Sequence, residues 1–242
     1  MLLSSCMLRI NGTDSSLPPA KSAEAATLAA DSAAAKGFTK LTTKGNMDIH
    51  YTPGDTFTVT LKGDTACIRR TIVQNDGTTL TVSTARDKKF FTKNNYDIDV
   101  YITAPELAEV NLEGAGDFTA EHGISSQTLE LNISGSGDIY VNGVKAGSFG
   151  ISIAGSGDAK VNGIEAKQAD FSIAGSGGVY IDSIKTDSFS GSIAGSGDIS
   201  VTRADIRSAD CSIAGAGDIA IDGHVGKCKQ SVAGAGTVKI TR

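Results

Sequence analysis

A Gly-x-Gly unit recurs through the second half of the chain, starting at Gly114, Gly135, Gly155, Gly175, Gly195, Gly215 and Gly234, in steps of 21, 20, 20, 20, 20 and 19 residues. A fixed period near 20 residues is the mark of a solenoid, in which no repeat can bury its apolar face alone and each hides it beneath the next. Everything around the glycines repeats with them. Two residues before each first glycine stands a branched aliphatic side chain: Leu112, Ile133, Ile153, Ile173, Ile193, Ile213 or Val232. Four and six residues after it come Phe118 and Ala120, Ile139 and Val141, Ala159 and Val161, Val179 and Ile181, Ile199 and Val201, Ile219 and Ile221, and Val238 and Ile240. Alternate residues share one face of a strand, so these positions form three inward ladders. The residue between the last two, Thr119, Tyr140, Lys160, Tyr180, Ser200, Ala220 or Lys239, has no consistent apolarity and faces water.

The strand before each corner begins earlier, at Leu129 and Leu131, Phe149 and Ile151, Ala169 and Phe171, and Ala209 and Cys211. A further short strand is predicted through Ile124, Val144, Ile164 and Ile184, because such a repeat wraps about three short strands per turn. Pentapeptide coils place small and apolar residues at every fifth position, and hexapeptide left-handed helices step by about 18 residues. Neither matches. The pattern predicts an all-β chain, a right-handed parallel β-helix (solenoid) with coils of about 20 residues and an N-terminal β-strand cap.

Composition agrees, with 29 glycines, 4 prolines and no tryptophan in 242 residues, and that length allows a sizeable core. A net charge of −5 and a pI near 5.2 argue against nucleic acid, whose binding rests on clustered Lys and Arg. The organisation reads as three spans. Residues 1–36 combine Leu3-Ser4-Ser5-Cys6, which resembles a bacterial lipobox with Cys6 as the lipidated residue, with a flexible Ala-rich tether. Residues 37–109 alternate as strands around Ile49, Val59, Leu80 and Val100, entering and capping the coil, whose first turn otherwise exposes unpaired backbone. Residues 110–242 are the seven repeats, continuous with 37–109 as one domain. Cys211 and Cys228 lie 17 residues apart, offset by two or three positions on adjacent coils and so beyond disulfide reach; both are expected as free, buried thiols.

Ser-Ile-Ala-Gly-Ser-Gly-Asp-Ile at Ser192 to Ile199, with near copies from Ser152, Ser172 and Ser212, resembles the head (GIN) domain of the family described as putative auto-transporter adhesins. The resemblance covers roughly residues 38–242 and includes Val100 to Leu107, which is similar to the family's lead into its first glycine corner. It implies a bacterial protein with a β-helical fold that is secreted or surface-anchored. It carries no catalytic residue with it.

Two polar columns could bear chemistry. Asp117, Asp138, Asp158, Asp198 and Asp218 follow the glycine corners, with Gly178 interrupting the row and Thr237 ending it. Stacked carboxylates offer oxygen ligands, which makes Ca²⁺ the one candidate cofactor. The structural alternative is that each Asp accepts hydrogen bonds from the NH groups of its own corner, and the break at Gly178 favours it. Asn142, Asn162, Asp182 and Asp222 mark the opposite corner, since Asn and Asp suit tight turns. The glycine corners are not phosphate loops, because a strand rather than a helix follows each. His50, His122 and His224 have no paired metal spacing. Arg86 to Asn95, with Phe90 and Phe91, reads as an exposed loop.

These readings combine into a non-enzymatic, adhesin-like binding module. It is tethered outside the cytoplasm as an outer-membrane, cell-surface or periplasmic lipoprotein, meeting membrane only through its lipid. Its partners are glycan or protein, with Tyr140 and Tyr180 as contacts because aromatic faces suit sugars. The alternatives are a carbohydrate-active β-helix enzyme and a self-assembling scaffold.

Overall fold

The computed structural model describes residues 25–29, 37–84 and 98–242. Cys6 and the Arg86 to Asn95 loop lie outside the described residues. The N-terminal part contributes β1 (Ala25–Ala29), β2 (Lys40–Gly45), β3 (Asp48–Pro53), β4 (Thr58–Asp64), the single turn α1 (Thr65–Ile68), β5 (Thr71–Asn75), β6 (Thr79–Thr84) and β7 (Ile98–Ala104). The repeats supply β8 (Glu109–Gly114), β9 (Phe118–Ala120), β10 (Ile124–Gly135), β11 (Ile139–Val141), β12 (Val144–Gly155) and β13 (Ala159–Val161). They continue through β14 (Ile164–Gly175), β15 (Gly178–Ile181), β16 (Ile184–Gly195), β17 (Asp198–Gly215), β18 (Asp218–Gly234) and β19 (Thr237–Thr241).

Successive repeats pair parallel and in register, placing Leu112, Ile133, Ile153, Ile173, Ile193, Ile213 and Val232 in one column. The chain is therefore a parallel β-solenoid. The further short strand predicted through Ile124, Val144, Ile164 and Ile184 is not a separate element. It runs on into the strand before the corner, and pairing skips only Gln127, Gly147, Lys167 and Asp187, where the backbone bends. A bend costs less pairing than a turn does, since every other residue of the twelve keeps its neighbour on the next rung.

From Gly114 onward, where each corner lies on another, both glycines are required, for different reasons. The first adopts a φ near +147° at Gly175, closed to side chains, and a Cβ there would run into the carbonyl oxygen of Gly155 on the rung below. The second, such as Gly177, has no left-handed φ, yet its Cβ would strike Gly157 O and come within 3.0 Å of Ile153 Cγ2. The corner is thus a column of backbones too close for any side chain.

Inside, the ladders are almost fully buried, from Leu41 and Ile49 to Ile219 and Ile221, but on the last rung Val232 is 43% exposed and Val238 and Ile240 are only half-buried, against expectation, because no further rung covers them. Each fully buried side chain stabilises the stack by roughly 1.5–3 kcal/mol. Bulk is shared out between neighbouring slots: Phe149 pairs with Ala169 and Ala169 with Phe189, while Ile151 pairs with Phe171 and Phe171 with Gly191. One phenyl ring per rung fits, and the rings alternate between the two slots.

Residues 37–109 build rungs as well as a cap. β2 lies parallel between β6 and β8, and β3 between β7 and β9. The chain lays the rung β2–β3, drops beneath it to lay β6–β7, then climbs past it to start β8. Beneath β6–β7 the parallel order ends, with β5 antiparallel to β6 and β4 antiparallel to β7. Antiparallel strands can be joined by short turns, so they close the open end without another full coil. β1, from the span read as tether, adds to the outer edge of β4.

Candidate binding face

β9, β11, β13, β15 and the first part of β17 point Phe118, Ile139, Ala159, Val179 and Ile199 inward, so their alternate residues face out. Three outward columns result, one through the Asp row, one through Tyr140, Lys160 and Tyr180, and one through Asn142, Asn162 and Asp182.

The Asp row is a hydrogen-bond ladder, but not within each corner as expected. Each carboxylate accepts from the backbone NH of the same position on the next rung. Asp138 N donates to Asp117 Oδ1 at 2.8 Å, Asp158 N to Asp138 Oδ1 at 2.8 Å, Gly178 N to Asp158 Oδ1 at 2.7 Å, and Asp218 N to Asp198 Oδ1 at 2.9 Å. Thr237 N closes the row on Asp218 Oδ1 at 2.8 Å. The reason is register: parallel stacking puts the next rung's NH directly above the carboxylate. Two carboxylates at the ~4.8 Å rung spacing repel by about 1 kcal/mol in water, whereas a hydrogen bond to a charged acceptor contributes roughly 1.5–3 kcal/mol. The hydrogen bonds win. Asp138→Ala is accordingly expected to lower stability by about 1.5 kcal/mol, and Asp138→Asn, which keeps an acceptor oxygen, by much less. Equal losses in urea unfolding would show that the ladder does not act through acceptance.

One member of this row escaped the sequence reading. Asp117 N donates to Asp48 Oδ1 at 3.0 Å, and Gly45 pairs with Gly114, so Gly45 to Asp48 is an eighth corner. Its signals were Asp48 three residues after Gly45 and Ile49 and Tyr51 at the inward offsets. Met47 in the second glycine's place and Thr43 in the aliphatic slot concealed it. Among the described residues, no group of three or more His, Cys, Asp and Glu is placed to hold a metal ion.

The Tyr column extends to the cap in the same way. His50 pairs with Thr119 on one side and Tyr101 on the other, and Tyr101 is 36% exposed. Its ring is covered on both sides: His50 stacks on it at 4.7 Å between centroids, and Lys62 Nζ lies 3.9 Å from its centre. His50 Nε2 also meets Asp99 Oδ1 at 3.2 Å. Tyr140 and Tyr180 stand two rungs apart with Lys160 between them. Tyr140 Oη accepts from Asn162 Nδ2 at 2.9 Å, and Asn162 also donates to Asn142 Oδ1 at 2.8 Å, tying this column to the corner amides.

A different flank carries charges of alternating sign. Lys145, Glu165, Lys185 and Asp205 stack in one column, which ends at His224, and Lys167, Asp187 and Arg207 in the next. Arg207 meets Asp187 at 3.1 Å and Lys145 meets Glu165 at 3.9 Å. These pairs are exposed and worth little each, so the pattern avoids like-charge stacking rather than building a pocket.

Of the two thiols, Cys211 is buried but Cys228 is only half-buried, against expectation, because it lies on the last rung. Both are free. Burial first, then the neighbouring Cys228, push the Cys211 thiol up to about 12.

A family model described as "Putative auto-transporter adhesin, head GIN domain" matches residues 37–224 and, in a second overlapping match, 173–242. No curated protein shows significant similarity to the chain. Among solved structures, a putative adhesin from Bacteroides fragilis matches with a TM-score of 0.78 at 24% identity, covering 90% of this chain and 98% of its own. A protein from Parabacteroides distasonis described as a putative lipid binding protein matches at 0.74 and 23%, covering 90% of this chain and 97% of its own. A putative adhesin from Parabacteroides merdae gives 0.74 and 22%, with the same coverage of 90% and 97%. At these identities the likeness is one of fold.

Proposed function

Because the chain belongs to the family of auto-transporter adhesin head (GIN) domains, we propose that it is a non-enzymatic binding module which presents a rigid outer face to an extended glycan. The observation that carries this is the outward column Thr119, Tyr140, Lys160, Tyr180 and Ser200, held in strict register between buried neighbours. A face fixed by its own hydrogen-bond ladder loses little freedom on binding, so weak contacts repeated at rung spacing add up along a polymer. Aromatic rings supply apolar area with a polar tip, and Lys160 and the corner amides supply hydrogen bonds.

The interior is filled by the aliphatic and phenyl ladders, so the ligand is assigned to the outside, including any of the kind that names the P. distasonis neighbour. The family and its named adhesins support a place outside the cytoplasm. Cys6 as a lipid attachment point would anchor the module there. Among the described residues no helix is long and apolar enough to cross a membrane. The test is a glycan array probed with the purified chain. Retention on a set of glycans is expected, weakened severalfold by Tyr140→Ala; no retention, or retention that Tyr140→Ala leaves unchanged, would overturn the reading.

A further inference from the structure

The Asp row is broken on one rung, at Gly178, and the break carries a cost. With no carboxylate beneath it, Asp198 N turns to Gly177 O at a long 3.3 Å. Backbone geometry does not demand the glycine, since Gly178 does not adopt a left-handed φ. Space does. A Cβ at Gly178 would stand 2.6 Å from Cε2 and Cζ of Tyr180. The Tyr180 ring is therefore laid back along its strand over Gly178, whose backbone it covers. Gly178 is buried where Asp138, Asp198 and Asp218 are exposed, while Tyr180 itself remains 40% exposed.

The ring lies in the gap between two carboxylates. Asp158 is one rung below and Asp198 one rung above in the same column as Gly178. Partial burial first, then the charges of Asp158 and Asp198, hold the Tyr180 phenol above its usual range. Lys160 and Ser200 are its neighbours in the Tyr column. Tyr101, by contrast, has both faces taken by His50 and Lys62.

We propose that Tyr180, flanked by Asp158 and Asp198, is a subsite for one uncharged pyranose unit of the glycan, and that Gly178 exists to let the ring lie down. This rests on the glycan-binding reading above and names its ligand class. The apolar C–H face of a sugar packs on the ring, and its hydroxyls donate to the carboxylate oxygens the rung ladder leaves over. Uronate or sulfate groups are turned away by the same two charges.

Gly178→Asp separates binding from folding. It restores the acceptor for Asp198 N, and the clash it creates is with the free end of a side chain that can swing outward. Affinity electrophoresis of the full chain in gels containing β-glucan, xylan, galactomannan or polygalacturonate reads the result. Retardation by at least one neutral polymer is expected, with the affinity falling about tenfold in Gly178→Asp and in Tyr180→Ala. Tyr180→Phe should keep most of it, and the thermal midpoint of Gly178→Asp should equal or exceed that of the parent. Retardation that survives both Gly178→Asp and Tyr180→Ala overturns the subsite while leaving a glycan-binding face in place. Retardation by polygalacturonate alone overturns the neutral-sugar assignment, and no retardation by any polymer overturns both readings.

Discussion

Gly175→Ala is expected to destabilise the solenoid by about 3–5 kcal/mol, the sum of a strained left-handed φ and an overpacked contact, each roughly 1–3 kcal/mol. The site sits at a φ of +147°, and the new methyl meets Gly155 O, a backbone atom that its own ladder holds in place. No side chain can rotate to make room. Relief requires the rungs of Gly155 and Gly175 to part, and their separation breaks the hydrogen bond from Ser176 N to Gly155 O at 2.9 Å. Because a solenoid is coupled only through neighbours, the damage should spread along the stack from that rung rather than melt every coil equally. Hydrogen exchange should show protection lost first around residues 155–177. Ser176→Ala, one residue on and exposed, serves as the control and should stay within about 0.5 kcal/mol. A Gly175→Ala protein with an unchanged urea midpoint would mean that the corners are not in backbone contact.

The stacking was legible in the sequence because register makes it so. Every coil must place its aliphatic residue under the next one, and a register slip of a single residue within the paired strand would turn Ile153 or Ile173 out to water, so the 21- and 19-residue steps are absorbed outside the strand that leads into the corner, as at the irregularity between Val201 and Ala204. Selection on burial therefore writes the period directly into the letters. The first rung was not legible for the opposite reason: 69 residues, rather than about 20, separate Asp48 from Asp117, to which it bonds. No period survives such an insertion. The order in which β2–β3, β6–β7 and β8–β9 stack depends on long-range pairing that local pattern cannot carry.

The polar columns were visible as columns, yet their partners were not. An Asp after Gly-x-Gly has a plausible acceptor role in its own turn, and only the rung above reveals the better donor. Like charges stacked on the corner are held by backbone NH groups, whereas on the flank through Lys145 and Glu165 they are avoided by alternating sign. The difference follows from the backbone. At the corner the NH of each rung points along the stack toward the carboxylate, and elsewhere the NH groups are consumed by the ladder itself. Gly178 then reads as more than a missing letter, because Tyr180 two residues later fills the space.

The second large effect concerns the interior. Phe171 meets Phe149 and Phe189 edge to face, with centroids 5.8 and 5.4 Å apart, and all three are almost wholly buried. Phe171 occupies the slot that holds Ile151 below it and Gly191 above, while Ala169 vacates the slot used by its two partners. None of these three rungs thus carries two rings. Phe171→Ala leaves that rung with alanine in both slots and a gap walled by the Phe149 and Phe189 rings, which the registered rungs above and below hold in place. Such a gap collapses poorly, so the loss should be about 3–5 kcal/mol, near the top of what a buried ring costs. Phe171→Leu, which keeps most of the volume, should lose roughly 1.5 kcal/mol or less. Thermal unfolding of the two variants together decides the matter: if alanine costs no more than leucine, the rings do not share one packed layer, and the alternation of large and small residues along Phe149, Ala169 and Phe189 has no structural cause.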